Sequence, residues 1–313
     1  MIFTKSQASG LAIMGICTCL WGGTAFVDGA VTEAAAIAQD SKTELQKAAE
    51  TWYWLSSDDK YSKFFDPVSV VTVKSAKKEN GERVPTEIQA WIKTGYSFGG
   101  AKETIDGYGI GAVLQPGQLS YSLAQVTINP QNRTIQYLKE DFYNAKGEVV
   151  WSTTEGRVKE INSQEFDEAY YNAVVDEVFR VGEMKRAAAE DRWIDLWKDE
   201  SVDGQVTTST ADTTTMRLKG PNLIVWEWQE TKDSSGKVLE IKFLKKAVNL
   251  SQGTERIVKG DYWSSGTGWK PVEDEYEGAY RAISPNEPAS KGLNRLRAYA
   301  KGYSTWVNRY SLK

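Results

Sequence analysis

Along this chain the spacing of apolar residues changes character several times. Over 163–190, Phe166, Tyr170, Val174 and Val178 recur at every fourth position, with Ala173 and Phe179 beside them. Glu165, Asp167, Asp176 and Glu177 occupy the remaining surface, so the period predicts an amphipathic helix covering a sheet. Before it, 68–73 (Val-Ser-Val-Val-Thr-Val), 88–93 and 120–128 are β-branched or alternating and predict strands. Asn80-Gly81 and Lys146-Gly147 lie between such segments and predict hairpin turns. The glycine-rich 99–117 has little pattern and reads as a long loop or a mobile hairpin. Nearer the amino terminus, 34–49 is rich in Ala, Glu, Gln and Lys, and the capping-box spacing of Thr43 and Gln46 predicts a helix from Thr43.

The order of features then starts again. The first half runs through Trp52 and Trp54, Asp66-Pro67-Val68-Ser69, Ala90-Trp91-Ile92-Lys93, Asn129, Asp141-Phe142-Tyr143, a Gly147 turn and the 163–190 helix. The second runs through Trp193 and Trp197, Asp212-Thr213-Thr214-Thr215, Val225-Trp226-Glu227-Trp228, Asn249, Asp261-Tyr262-Trp263, a turn at Gly266 and Gly268, and a helical segment over 293–300. The stretches from Asn129 to Asp141 and from Asn249 to Asp261 align without a gap, with Thr134 on Thr254 and Lys139 on Lys259. A shared order of this kind reads as a tandem duplication, and the unit is far longer than a solenoid repeat. The expected fold is α+β: two tandem modules, each a twisted antiparallel β-sheet closed by a C-terminal α-helix. The expected divisions are a leader over 1–25 or as far as 38, a linker or helix over 26–50, and modules over 51–188 and 189–313, with the boundary in 186–191.

Composition changes this picture first at the amino terminus. Lys5 precedes an uncharged, mainly apolar run over 11–21, and Gly23-Thr24-Ala25 places small residues where a signal peptidase needs them. Cleavage after Ala25 is favoured; Ala36-Ile37-Ala38 offers an alternative after Ala38, and an uncleaved anchor over 11–27 is the competing reading. Both cysteines, Cys17 and Cys19, lie in the apolar run, and neither Ile16 nor Thr18 is the small residue that a lipidation site needs. The processed chain is then free of cysteine in a compartment that permits disulfides. No later apolar stretch approaches the ~20 residues of a transmembrane helix. Sec-type export to the periplasm, the cell surface or the medium is the expected route.

Chemistry is narrowed mainly by absences. With 0 His there is no Ser-His-Asp triad and no histidine metal ligand, and without cysteine there is no thiolate nucleophile or zinc-thiolate cluster. No cofactor is expected. A net charge of −4 gives no global attraction to nucleic acid. The chain has 12 Trp and 15 Tyr, large flat side chains that serve sheet cores and also binding surfaces. A carboxylate pair is the remaining catalytic option, from Asp66, Asp141, Asp212, Asp261 and the cluster Glu273-Asp274-Glu275. Asp66 and Asp212, however, precede Ser or Thr ahead of a strand, where turn capping is the usual task, and the acidic cluster reads as a solvated loop. Glycines at 107, 109 and 111 lack the lysine and helix start of a phosphate loop, and 199–204 lacks the ligand spacing of a calcium loop. Basic residues alternate with Tyr299, Tyr303, Trp306 and Tyr310 near the carboxyl end; this pattern suits an acidic polymer or a membrane surface, and the favoured reading is a closing helix with a solvated basic face and a frayed end.

The landmarks of the first half resemble the surface-adhesin protein E-like family of bacterial exported proteins. The residues concerned are Phe64-Phe65-Asp66-Pro67-Val68-Ser69, Ala90-Trp91-Ile92-Lys93, the turn and strand from Ile128 to Ile135, and the Gly147 hairpin from Tyr143 to Val150, followed by a helix. Where that family often places one of a cysteine pair, this chain has Asn129. The resemblance implies a small antiparallel sheet closed by a helix and a non-enzymatic surface role such as adhesion. The expectation is an exported binding protein whose partner is a host matrix or cell-envelope macromolecule. A carboxylate-dependent hydrolase of an envelope polymer and a structural envelope protein stand beside it as alternatives.

Overall fold

Strand β4 (Arg83–Tyr96) shows why each half folds as a sheet. Its buried residues alternate, Ile88, Ala90, Ile92 and Thr94, so one face meets a core while Gln89, Trp91 and Lys93 point the other way. The computed structural model describes residues 52–163, 165–273 and 277–312. The leader, both cleavage sites at Ala25 and Ala38, and the helix expected from Thr43 lie outside the described residues.

The fold is α+β, built on two antiparallel sheets of eight strands. The first contains β1 (Tyr53–Ser57), β2 (Tyr61–Phe65), β3 (Val71–Lys77), β4, β5 (Tyr121–Asn129), β6 (Thr134–Tyr143), β7 (Val149–Thr153) and β8 (Val158–Glu160). Its order is β1-β2-β4-β5-β6-β7, with β3 on β4 and β8 on β6. The second contains β9 (Trp193–Glu200), β10 (Val206–Asp212), β11 (Arg217–Lys219), β12 (Asn222–Lys232), β13 (Val238–Asn249), β14 (Thr254–Ser264), β15 (Gly268–Pro271) and β16 (Arg281–Ala282). It runs β9-β10-β12-β13-β14-β15, with β11 on β12 and β16 on β14, so the connectivity of the first sheet is repeated strand for strand.

Register repeats as well. Asn129 pairs Thr134 and Asn249 pairs Thr254; the bulge that leaves Leu138 unpaired recurs at Val258, and the one at Leu55 recurs at Leu196. Following the pairs across each sheet places Trp226 where Trp91 stands, Asp212 where Asp66 stands and Trp193 where Trp52 stands. The local chemistry matches. Asp66 Oδ1 accepts from Val68 N (3.0 Å), and the Ser69 hydroxyl donates to Asp66 O (2.7 Å) and accepts from Trp91 N (2.9 Å). Asp212 Oδ1 accepts from Thr214 N (2.9 Å), and the Thr215 hydroxyl donates to Asp212 O (2.8 Å) and accepts from Trp226 N (3.2 Å). The Asp-x-x-Ser/Thr motif is thus a turn that ties the end of one strand to the middle of another.

Helices follow each sheet, α2 (Glu168–Phe179) and α3 (Gly182–Ala188) after the first, α4 (Pro288–Gly302) and α5 (Ser304–Asn308) after the second; α1 (Phe98–Tyr108) is inserted between β4 and β5. Helix α2 presses Tyr170, Tyr171, Val174 and Val175 onto Ile88, Ile92, Val126, Ile128 and Ile135. Each of those aliphatic side chains contributes ~1.5–3 kcal/mol on burial.

Four expectations change. The segment 99–117 is helix as far as Tyr108 and loop only beyond it: Ser97 caps α1 by accepting from Gly100 N (3.3 Å), and Gly109 ends it at φ 68°. A Cβ on Gly100 would stand 2.3 Å from Lys60 O, so glycine is what lets this helix sit on the β1–β2 turn. The helix expected over 163–190 is two, broken where Arg180 turns left-handed at φ 52° so that Val181 can enter the second core. Strand β3 begins only at Val71, because Pro67, Val68 and Ser69 form a 3₁₀ turn. The carboxyl end is not frayed. Trp306 and Val307 are buried in the second core, Tyr310 in the first, and Tyr310 meets Phe179 edge-on at 4.9 Å.

Two buried arginines join the two sheets through backbone carbonyls, Arg133 donating to Thr214 O (3.1 Å) and Arg217 to Gln131 O (2.8 Å) and Asn132 O (3.4 Å). Arg309 braces the same turn from within the second half, donating to Met216 O (2.7 Å) and Thr214 O (3.0 Å). Glu160 of the first sheet reaches Lys245 (2.5 Å) and Lys259 (3.1 Å) of the second.

Candidate functional site

The face of each sheet that meets its closing helix is only partly covered, and the uncovered end differs between the copies. In the first, the row of paired residues Ser56, Lys63, Thr94, Ser122, Phe142 and Trp151 crosses from β1 to β7. Helix α1 lies over that end: Tyr108 meets Phe142 (5.3 Å) and Trp151 (5.0 Å) edge-on. In the second, the corresponding row is Trp197, Ser209, Gln229, Lys242, Tyr262 and Lys270. Here β12 and β13 are joined by a short turn capped by Asp233, whose Oδ1 accepts from Ser235 N (2.9 Å) and Lys237 N (3.0 Å). No helix is inserted, and the row lies open except at Ser209, which is buried beneath its neighbours.

Under α1 a recess of about 200 Å³ remains, lined by Tyr61, Tyr96, Tyr108, Tyr137, Glu140 and Asp167 among others. Glu140 accepts from Ser122 (3.0 Å), Arg157 (3.1 Å) and Tyr108, and Asp167 accepts from Tyr137 (2.6 Å) and Lys159 (2.8 Å). Burial pushes the Glu140 carboxyl up to about 7, with Asp167 adding to the rise and the Ser122 hydroxyl and Lys159 opposing it. Arg157, itself lowered by burial, opposes it from 3.1 Å.

The open recess of the second sheet is larger, about 530 Å³, with Gln229, Lys242, Leu244, Tyr262, Lys270 and Arg281 among its lining. Gln229 and Lys242 also line an adjoining hollow of about 340 Å³ with Trp197, Thr207, Thr231 and Glu240. Below them is a buried ion cluster. Lys246 donates to Glu227 (2.7 Å) and Glu255 (3.3 Å); Ser209 and Gln229 (2.8 Å) donate to Glu227, and Arg281 to Glu255. Burial works against both ions of the first pair, yet Glu255 and Glu227 hold Lys246 above its ordinary value, and Lys246, Ser209 and Gln229 hold Glu227 below its own. By register Glu227, Lys246 and Glu255 replace Ile92, Val126 and Ile135 of the first core.

The carboxylates singled out from sequence do not assemble. Asp66 and Asp212 cap turns; Asp212 also meets Arg192 at 3.3 Å. Asp141 is held by Ser152 (2.6 Å) and Lys139 (2.6 Å) on the face of β6 away from the recess, and Asp261 is exposed on the matching face of β14. Glu273 lies at the rim of the open recess, and Asp274 and Glu275 lie outside the described residues. Gly109 is the helix cap noted above, and Ser201 and Asp203 close a hairpin turn. Among the described residues no group of three or more acidic side chains could hold a metal, and no helix is long and apolar enough to cross a membrane.

Sequence reasoning missed Glu140, Asp167 and the ion cluster. The bulge at Leu138 explains the first: strict alternation from Ile135 and Tyr137 turns Lys139 and Asp141 inward, whereas the extra residue turns Glu140 and Phe142 inward instead. For the cluster a signal existed, since Lys246 falls between Leu244 and Val248 on the alternating apolar positions of a central strand and Glu227 stands between two tryptophans.

No protein-family model matches the chain, and no curated protein matches it in sequence. Its class is therefore defined by fold and site: two tandem antiparallel sheets with closing helices, one with a covered recess and one with an open one.

Proposed function

We propose that this chain is an exported, non-enzymatic binding protein of the bacterial periplasm or cell surface, adhesin-like in role, built from two duplicated modules. Its contact site is the open recess of the second sheet. One observation carries this reading: the copies diverge at the same place, where the first is filled by α1 and the second is left as an open row of amide, amine and aromatic groups. Concave sites with a few convergent polar groups are where ligands rest. The buried carboxylates around both recesses already accept from two or more donors, as structural ions do, and this weighs against a reactive pair.

The test is retention of the exported chain on envelope polymers and host matrix proteins. Binding to at least one class, reduced when Gln229→Trp fills the row, is the expected result. Failure to bind any of them overturns the proposal. Amino-terminal sequencing of the exported chain checks the route, with an end just after Ala25 or Ala38 expected.

A second reading, a carboxylate-dependent hydrolase, draws on the buried Glu140 whose carboxyl stands near 7. Release of new reducing ends from an envelope polymer, abolished by Glu140→Gln, would favour it over binding.

A further inference from the structure

The open row has a chemistry as well as a shape. Its members are direct cross-strand partners: Trp197 pairs Ser209, Ser209 pairs Gln229, Gln229 pairs Lys242, Lys242 pairs Tyr262, and Tyr262 pairs Lys270. A second row beside it pairs Thr207 with Thr231 and Thr231 with Glu240. Six strands at roughly 4.8 Å make a strip of roughly 24 Å from end to end. Along this strip the flat groups are Trp197 and Tyr262, and between and beside them stand an amide, hydroxyls, an amine and a carboxylate.

Charge does not select the ligand. Lys246 is bound to Glu227 and Glu255 beneath the surface, the half-buried Arg281 pairs with Glu255 and Glu287, Lys270 stands 3.8 Å from exposed Glu273, and Glu240 accepts from the Tyr262 hydroxyl at 2.9 Å. Lys242 and Arg256 make no ion pair among the described residues; Arg256 is turned to Gly278 O (3.5 Å) and the Tyr280 ring, and the single remaining ammonium on so long a strip is a hydrogen-bond donor more than a field. Apolar area is also limited: Leu244, Ile257 and Val272 line one end, with no aliphatic groove along the row in which a helix could seat its apolar stripe. What matches two flat rings set apart on an open sheet, with polar side chains between and beside them, is a chain of hydroxyl-bearing rings. Each ring has an apolar face to lay on an aromatic side chain and an edge of hydroxyls that both donate and accept.

We propose that the strip binds an uncharged glycan chain of several sugar units. This rests on the binding reading above and assigns its ligand class. The ligand is extended, because the row is long and shallow, and neutral, because the strip's charges are largely paired.

The experiment is affinity electrophoresis of the full exported chain in gels cast with neutral glycans, a glucan and an N-acetylated amino-sugar polymer, against a uronic-acid polymer and gelatin. Calorimetry with the corresponding hexasaccharides and monosaccharides follows. Retardation by a neutral glycan is expected, with the hexasaccharide bound at least about tenfold tighter than its monosaccharide. Tyr262→Ala and Lys242→Ala should each weaken binding about tenfold or more while leaving the thermal midpoint in place. Lys242 is exposed and makes no ion pair among the described residues, so Lys242→Ala keeps the test decisive if loss of Tyr262 disturbs the fold. Binding of gelatin or the uronic-acid polymer alone overturns the ligand class and leaves the binding reading standing. Glycan binding that both variants retain overturns the strip as its site. No retention by any matrix overturns both.

Discussion

Replacing Lys246 by methionine removes the one cation that two buried carboxylates share, and the structure allows the cost to be worked out. Glu227, Lys246 and Glu255 are 2%, 6% and 5% exposed, so water cannot replace the lost ammonium without opening the sheet. Ser209 and Gln229 still donate to Glu227, and Arg281 to Glu255, which lessens the penalty without cancelling it. Breaking a buried ion pair on one side costs ~3–5 kcal/mol. At ~2–4 °C per kcal/mol for a chain of this size, the thermal midpoint should fall by roughly 10 °C.

The first sheet supplies the contrasting experiment. Its residues at the same register, Ile92, Val126 and Ile135, are 1%, 0% and 0% exposed and form a close-packed core. The triple variant Glu227→Ile, Lys246→Val, Glu255→Ile transfers that core into the second sheet, and exchanging buried ions for apolar groups of fitting volume is often neutral or stabilising by ~1–4 kcal/mol. Urea unfolding followed by tryptophan fluorescence and circular dichroism measures both variants. A single variant that costs under ~1 kcal/mol, or a triple variant as damaged as the single one, would refute the reasoning, because each would mean that the ions are not desolvated.

The cluster also makes a statement about pH. Glu227 is held below its ordinary 4.5, so its contribution is present above that value and is lost as pH falls through its folded one. Lys246 is held above 10.5, so its contribution is present below that value and is lost as pH rises through its folded one. The wild-type chain should lose this stability at both extremes, and the triple variant should not.

Three further outcomes are expected. Glu140 stands near 7 in the fold against 4.5 outside it, so the folded state holds the proton longer and stability should fall as pH rises from about 4.5 to 7, by at most ~3 kcal/mol given the opposing Arg157. Midpoints across that range should be flatter in Glu140→Gln, and an identical slope would contradict the assignment. Arg217→Ala should cost ~2 kcal/mol, since Gln131 O and Asn132 O lose donors while Arg133 and Arg309 lose a like-charged neighbour; a change under ~0.5 kcal/mol in urea unfolding would mean that water satisfies those carbonyls. Ser69→Ala and Thr215→Val should each cost ~1–2 kcal/mol in the same assay, because each hydroxyl joins a turn carbonyl to the N–H of a central tryptophan. Equal losses at the two sites would agree with their matching geometry.

Local and repeated features were legible in the order of residues alone. Alternation marked the central strands, Gly81 and Gly147 marked turns whose positive φ no β-branched residue would adopt, and the four-residue period marked α2. The order of tryptophans, aspartates and asparagines carried the duplication, because each landmark does the same mechanical task in both copies. Asn129 and Asn249 illustrate this: their Oδ1 atoms accept from Asn132 N (2.8 Å) and Gln252 N (3.0 Å) in equivalent turns. Tertiary structure decided the rest. A one-residue bulge reverses which side chains face inward, so adjacent Glu140 and Asp141 exchanged the roles that alternation assigns them. Helix α1 owes its place to contact with Phe142 and Trp151 and to the bare backbone of Gly100, none of which shows in the weak pattern of 99–117. The open row belongs to this second kind. Its six members are scattered from Trp197 to Lys270, and only strand pairing brings them onto one line, because hydrogen-bonded register converts distant sequence positions into neighbours.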